Sequence, residues 1–221
     1  NVTMDDMLHH TKAVVRGTQH ALIIGDMPFM SYQTDIPSAV YNAGRFLQEA
    51  GAQAVKLEGG KRVSETVRTI VECGIPVMGH IGLTPQSVNQ LGGYKVQGKT
   101  RKAATELIGD AHALQDAGAF SVVLEGVPTP LSRIITEELS IPTIGIGAGI
   151  NCDGQVQVLH DMMGMFVDFV PKHAKKYAAL AEVFNTAVGA FIREVQDGIF
   201  PTENESFSMD ESLLSELVKA Q

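Results

Sequence analysis

The chain has 221 residues, of which 44% are hydrophobic and 19% are charged, and its formal net charge is −8. This length and apolar content suffice for the core of a single α/β domain. The acidic balance without a basic patch argues against a nucleic-acid partner, because phosphate binding requires clustered Lys and Arg. No apolar run approaches the roughly 20 residues that span a bilayer, and the first residues lack the features of a signal peptide. We therefore expect a cytoplasmic protein with no membrane partner.

Taken in chain order, the hydrophobic pattern alternates between helical and strand periodicity. Most of the predicted helices are followed by a glycine, which suits a left-handed cap. Helices are predicted at 4–16, from Pro37 to just before Gly51, and at 62–73, 101–117, 130–139, about 153–163 and about 174–196. Strands are predicted at 22–26, from Ala54 to Glu58, and at 76–80, 121–125, 142–147 and 165–170. A short terminal helix is predicted after a capping box at 208–211.

Ionisable residues lie at the carboxyl ends of four predicted strands. Asp26, Glu58, His80 and Glu125 each follow or end a short apolar run. Lys56 lies two residues before Glu58 and therefore on the same strand face. A buried charge requires a partner, a metal or a substrate. The carboxyl end of the sheet is therefore the predicted functional site.

Alternating strands and helices with short connections predict a parallel sheet covered by helices. Polar residues at the strand ends favour a (β/α)₈ TIM barrel over an open doubly wound sheet, since the active site of a barrel lies at that face. Six predicted strands leave the barrel two βα units short, so we expect about 50 further residues before this chain. We assign 1–200 to the N-terminally incomplete barrel domain and 201–221 to a C-terminal tail.

Several long motifs resemble those of the ketopantoate hydroxymethyltransferase family, in family order and spacing. The resemblance extends to about residue 207 and includes Asp153-Gly154-Gln155 and His160-Asp161. The main motifs are GDMPFMSY at 25–32, AVKLEGG at 54–60, GHIGLTPQS at 79–87, GGYKVQG at 92–98, LEGVP at 124–128 and IGIGAG at 144–149.

This resemblance implies a barrel of the phosphoenolpyruvate/pyruvate superfamily that assembles as a homo-oligomer, commonly a decamer. It implies transfer of a hydroxymethyl group from 5,10-methylenetetrahydrofolate to 3-methyl-2-oxobutanoate, which gives 2-dehydropantoate for pantothenate and coenzyme A synthesis. The reaction requires removal of a proton next to a ketone, and a Lewis-acid metal stabilises the resulting enolate. Carboxylate ligands suit Mg²⁺, although Mn²⁺ or Co²⁺ would accept the same oxygens.

The resemblance also implies a role for each residue at the strand ends. Asp26 corresponds to a direct metal ligand, and Glu58 belongs to the same metal site. Lys56 would pair with the substrate carboxylate, and His80 would hydrogen-bond the substrate. Glu125 corresponds to the general base. The family pattern further contains a Gly-Asp-Ser motif on an earlier strand, with another metal ligand, and this motif does not occur in the chain.

Two rival classes of function stay open at the level of sequence. A related Mg²⁺-dependent barrel lyase or mutase acting on a 2-oxo acid would share the metal and the enolate, but it should lack the motifs at 80–87 and 92–98. A catalytically incomplete barrel fragment should bind metal only weakly, and a non-catalytic barrel would bind neither metal nor ketoacid even after the missing strands are restored. The loop 92–98 suits a mobile lid or an ordinary surface loop. We interpret His160 and Asp161 as structural, and the glycines at 145–149 as packing residues.

Overall fold

The computed structural model describes residues 2–212 and residue 214. It divides into two compact units, one ending at residue 157 and the other beginning at residue 158. All six strands of the described chain belong to the first unit. The domain boundary predicted near residue 200 is not tested by this division and stays a prediction.

The first unit is built on a parallel sheet whose strands follow one another in chain order. Each strand pairs in parallel with the next, and the sheet forms a half-barrel. The predicted α/β class with a parallel sheet is therefore confirmed. The strands are β1 Ile24–Asp26, β2 Ala54–Glu58, β3 Val77–Gly82, β4 Ser121–Glu125, β5 Thr143–Ile146 and β6 Gly154–Gln155.

Three helices of this unit begin at side-chain caps. Thr3 and Asp6 form a capping box at the first helix, and the Asp35 and Thr100 side chains accept from the backbone of the second and fifth helices. The helices are α1 Met4–Gly17, α2 Ile36–Gln48, α3 Ser64–Glu72, α4 Val88–Leu91, α5 Arg101–Asp116 and α6 Thr129–Glu138. Short 3₁₀ turns at Lys61–Val63 and Pro85–Ser87 precede α3 and α4.

The core lies between the outer face of the sheet and the helices. Helices cover that face, and most residues of β2, β3 and β4 are buried, so these strands form nearly continuous apolar runs in the sequence. Gly79 in β3 allows α5 to approach closely, because a Cβ there would lie 2.6 Å from Cδ1 of Leu114. Gly25 in β1 meets the ring of Phe46 in the same way. The largest fully buried side chains include Phe46, Met27, Leu57, Ile70, Ile81, Leu114, Leu124 and Ile135.

The sixth strand lies elsewhere than predicted. The apolar stretch 165–170 forms no strand, and the sixth strand is Gly154–Gln155, which pairs with β5. Polar contacts define this strand: the Asp153 carboxylate accepts from the Thr143 backbone N–H at 2.8 Å. A two-residue polar strand carries no hydrophobic signal, whereas 165–170 carries a strong one without a partner strand.

Two α-helices lie wholly within the described part of the second unit, α7 Leu159–Met162 and α8 Leu180–Gln196. Both are shorter than the helices predicted at 153–163 and 174–196. No residue of α8 is buried, and its exposed apolar side chains include Phe184, Val188 and Phe191. Among the described helices none is both long and apolar enough to cross a membrane. The predicted terminal helix depends on residues 213–218, most of which lie outside the described residues.

Candidate active site

Five predicted site residues come together on the inner face of the sheet. In the parallel register, Asp26 lies opposite Lys56, and Glu58 lies opposite His80. Glu125 lies opposite Gly82, two residues beyond His80. Side chains two residues apart on a strand share a face. The register therefore places all five groups on the inner face, near the carboxyl ends of the strands.

Lys56 is the central cation of this cluster. Its Nζ lies 2.8 Å from Oδ1 of Asp26, 4.0 Å from Oε1 of Glu58 and 3.1 Å from Nδ1 of His80. The lysine side chain is only 16% exposed. One ammonium group therefore contacts two carboxylates and an imidazole at a position that is largely shielded from solvent.

The contact with Lys56 determines the tautomer of His80. An ammonium group can only donate, so Nδ1 of the ring accepts and the ring proton lies on Nε2. Nε2 lies 3.1 Å from Oε2 of Glu125, although the N–H direction does not meet hydrogen-bond geometry. His80 thus connects the lysine to the carboxylate of Glu125.

Glu58 is the most buried carboxylate of the cluster. Burial raises the pKa of its carboxyl, and electrostatic interactions with His80 and Lys56 oppose that rise in part. Its Oε2 accepts from the backbone N–H of Gln86 at 3.0 Å. The neighbouring groups thus offset only part of the cost of ionising this buried carboxyl. Such a carboxyl is typical of a site that receives a cation.

The carboxylates of the cluster fit a divalent metal. Asp26 and Glu58 end neighbouring strands, and both lie within 4.0 Å of the Lys56 ammonium group, so a cation already lies between these two carboxylates. Within the described chain, no cluster of three or more His, Cys, Asp or Glu could hold a metal alone. Asp26 and Glu58 therefore supply two oxygen ligands at most, which suits Mg²⁺, an ion that keeps waters and takes substrate oxygens.

Two further polar residues lie at the site, and the sequence did not predict a role for either of them. Gln86, in the turn after β3, touches Glu58 and the backbone after β1. Tyr32, in the loop after β1, donates to Gln86 and accepts from the Glu58 backbone. Both lie in motifs that carry the family resemblance, at 79–87 and 25–32, and this is the only sequence signal for them.

The two cavities described at this end of the sheet lie beside the cluster. A cavity of about 510 Å³ is lined by Ile81, whose side chain points to the opposite face of β3 from His80, and by Gln97 and Gly98 of the loop 92–98. A second, of about 430 Å³, is lined by Tyr32 and Gln86. None of the five clustered residues lines either cavity. The candidate site is therefore defined by its chemistry and not by cavity size.

The loop 92–98 is attached to the strand that carries Glu125. The Gln97 N–H donates to the carbonyl of Gly126 at 2.9 Å. Gly92, Gly93 and Gly98 have positive φ, and Tyr94 between them is 76% exposed. These features fit either a lid or a surface loop, so the lid stays a prediction.

Comparison with known proteins decides the family. The model of the family described as ketopantoate hydroxymethyltransferase matches residues 1–203. The chain belongs to the ketopantoate hydroxymethyltransferase family. Two relatives support this membership, and each is called 3-methyl-2-oxobutanoate hydroxymethyltransferase. The protein of Dehalococcoides mccartyi strain 195 is 64% identical over 219 residues, which are 99% of this chain and 78% of the relative. The protein of Clostridium botulinum strain Langeland is 60% identical over 217 residues, which are 98% of this chain and 79% of the relative.

Solved structures of distant proteins support the fold of this ketopantoate hydroxymethyltransferase family member. A proposed phosphonomutase from Burkholderia cenocepacia J2315 matches with a TM-score of 0.55 and 12% identity, covering 87% of this chain and 79% of the other. A proposed lyase/mutase from the same organism matches with a TM-score of 0.50 and 16% identity, covering 94% and 73%. At such low identity the similarity concerns the fold alone.

Proposed function

We propose that this chain transfers a hydroxymethyl group from 5,10-methylenetetrahydrofolate to 3-methyl-2-oxobutanoate and thereby forms 2-dehydropantoate. Membership of the family and identity of 60% or more to relatives with this name support the reaction. The observation that carries the proposal is the contact of His80 with Lys56 on one side and Glu125 on the other. A base, a cation and a hydrogen-bond donor are what enolisation of a 2-oxo acid requires.

Glu125 acts as the general base in this proposal. It removes the single proton on C3 of 3-methyl-2-oxobutanoate, and the electron pair of that C–H bond forms the enolate. Water adds to the methylene carbon of the folate and both of its C–N bonds break, which releases formaldehyde and leaves tetrahydrofolate with one proton on each nitrogen. The enolate carbon then attacks the formaldehyde carbon, and the C=O electron pair moves to oxygen as an alkoxide. This alkoxide takes the proton held by Glu125 and becomes the hydroxymethyl group. The carboxylate is 15% exposed, so a bound substrate would largely exclude solvent from it.

Lys56 and His80 bind and orient the ketoacid. The ammonium group of Lys56 would turn from Asp26 toward the substrate carboxylate, a charge-assisted contact of the stronger kind. The Nε2 of His80 is a buried atom on the side of the ring that faces Glu125. Held there, His80 donates a hydrogen bond to an oxygen of the substrate and keeps its ring fixed by the bond from Lys56.

Asp26 and Glu58 would hold the divalent metal, with Mg²⁺ as the expected ion. Bound there, the metal would supply Lewis-acid polarisation of the ketone. The two carboxylates that share the Lys56 ammonium group support this assignment, since they already have a cation between them. A third protein ligand would come from the Gly-Asp-Ser motif expected on an earlier strand.

We further propose that the sheet is part of a complete (β/α)₈ barrel. The described sheet ends at β1 on one side and at β6 on the other, which leaves two open edges. Open edges expose unpaired backbone groups that proteins normally cover. Closure by two further βα units would remove both edges.

The family resemblance also supports a cytoplasmic homo-oligomer, with a decamer as the expected state.

The rival lyase or mutase is less well supported than the transferase. The two Burkholderia structures share the fold at 12% and 16% identity, which says nothing of the reaction. The motifs at 80–87 and 92–98, which a lyase or mutase should lack, are present. An incomplete barrel without activity would be indicated if neither metal nor ketoacid binds to the purified protein.

Proton exchange at C3 tests the proposed base without the folate. In D₂O with Mg²⁺, the methyl doublet of 3-methyl-2-oxobutanoate should collapse to a singlet in the proton NMR spectrum as deuterium enters C3. We expect Glu125→Gln to slow this exchange by about 10²–10⁴-fold, the usual contribution of a general base. Glu138→Gln, on an exposed carboxylate that pairs with His112, is the matched control. Equal exchange rates for Glu125→Gln and the control would refute the assignment.

A further inference from the structure

We propose that Gln86 and Tyr32 are positioning residues that fix the separation of the carboxylates of Asp26 and Glu58. The inference rests on the proposed function, because that function assigns both carboxylates to one metal ion. Neither residue received a role from the sequence. Gln86 bonds the Glu58 carboxylate directly and the backbone of the residue after Asp26, and Tyr32 bonds Gln86 and the Glu58 backbone.

Gln86 connects the ends of two strands. Its backbone N–H donates to Oε2 of Glu58 at 3.0 Å, and its side-chain Nε2 donates to the carbonyl of Met27 at 2.9 Å. Met27 directly follows Asp26, and its own N–H donates to the carbonyl of Lys56 at 3.1 Å. A single residue in the turn after β3 therefore holds the carboxylate at the end of β2 and the backbone at the end of β1.

Tyr32 fixes the orientation of the Gln86 amide. Its hydroxyl donates to Oε1 of Gln86 at 2.8 Å and accepts from the backbone N–H of Glu58 at 3.1 Å. Gln33 donates to the same Oε1 at 3.0 Å. A flipped amide would place its NH₂ group against these two donors and its oxygen against the Met27 carbonyl, so only one orientation is satisfied.

The phenol of Tyr32 is suited to this task. Its residue is only 2% exposed, and burial raises its pKa, which keeps the hydroxyl proton available for donation to Gln86. A buried hydroxyl with both of its hydrogen bonds made is also costly to disturb. The tyrosine, the glutamine and Glu58 thus form one connected polar network across three strand ends.

The metal is the reason that this geometry matters. Mg²⁺ demands near-octahedral geometry with short ligand distances, so two carboxylates on neighbouring strands must be held at a fixed separation. Residues that orient metal ligands typically change affinity by about 10–100-fold when they are replaced. We therefore expect Gln86 and Tyr32 to act on metal affinity through Glu58 and Asp26.

Mn²⁺ is the probe for the test, with the free ion followed by electron paramagnetic resonance. Tyr32→Phe removes the hydroxyl, and Gln86→Met removes the side-chain amide, and both keep the volume. Gln86→Met keeps the backbone N–H that donates to Glu58, so it acts by removing the side-chain bonds that hold this N–H in place. We expect each variant to raise the Mn²⁺ Kd about 10–100-fold, and the double variant to add little, because both act in one network. Tyr41→Phe, at a tyrosine that is 69% exposed, and Gln90→Met, whose amide accepts from Arg62, are the matched controls and should stay within twofold.

The Glu58→Gln background separates positioning from a general loss of structure. If Gln86 acts through Glu58, then Gln86→Met should change the Mn²⁺ Kd several-fold less in the Glu58→Gln protein than in the unsubstituted one. Equal weakening in both backgrounds, or a Kd within twofold for Tyr32→Phe and Gln86→Met, would overturn the inference. Mn²⁺ binding without C3 proton exchange in the unsubstituted protein would instead reject the proposed function and leave the positioning role intact.

Discussion

At the scale of single residues, Glu58 gives the site a characteristic dependence on pH. Burial raises its pKa in the folded state above the value in the unfolded chain. Such a carboxyl favours folding below its unfolded pKa, and this contribution is lost as the pH rises through the folded pKa. Above the folded pKa the ionised carboxylate therefore costs stability when no metal is bound, as functional groups often do.

Replacement of Glu58 by glutamine should consequently stabilise the metal-free protein. In EDTA at pH 8 we expect Glu58→Gln to raise Tm by a few degrees, since about 1 kcal/mol corresponds to roughly 2–4 °C in a domain of this size. The gain should shrink toward pH 4, where the wild-type carboxyl is protonated. Glu137→Gln, on an exposed carboxylate, should show neither effect. A Tm for Glu58→Gln below that of the wild type at pH 8 would contradict this reading.

At the scale of secondary-structure elements, the packing of β3 against α5 depends on the absence of a side chain at Gly79. A Cβ there would lie 2.6 Å from Cδ1 of Leu114, so Gly79→Ala should lower the free energy of unfolding by about 1–3 kcal/mol. Gly44 in α2 has no atom within 4 Å of such a Cβ. Gly44→Ala should therefore raise stability by about 0.5–1 kcal/mol through helix propensity. Urea unfolding measures both, and equal effects of the two substitutions would refute the packing argument.

The first five strands could be predicted from the sequence, whereas the sixth could not. The first five strands are buried runs bounded by Gly, Pro or charge, so their pattern is visible in a single sequence. β6 is defined by hydrogen bonds of Asp153 and by pairing with β5, and such contacts leave no periodic signal. The carboxylates Asp26, Glu58 and Glu125 were predictable because each one ends a visible strand. The Gln86 network was not predictable, because its hydrogen bonds join loop residues to partners 28 to 59 positions away and leave no pattern in the sequence.

At the scale of the whole molecule, the open edge of β1 is the feature that the proposed barrel explains. If a further strand pairs with β1 in the full-length protein, the amides of residues 22–27 should be protected from hydrogen exchange. Mass spectrometry would compare them with the loop 92–98, whose tip is exposed at Tyr94. We expect at least tenfold slower exchange at 22–27. Exchange as fast as that of the loop would contradict closure of the barrel at this edge.

Turnover by the purified full-length protein tests the central claim most directly. The protein would be incubated with 3-methyl-2-oxobutanoate, Mg²⁺ and 5,10-methylenetetrahydrofolate carrying ¹³C in its methylene group, and the products followed by NMR. The account predicts ¹³C in the hydroxymethyl carbon of 2-dehydropantoate, dependent on the ketoacid, the folate and the metal, and lost in Glu125→Gln. Absence of labelled product from a protein that binds Mn²⁺ and the ketoacid would contradict the proposed reaction.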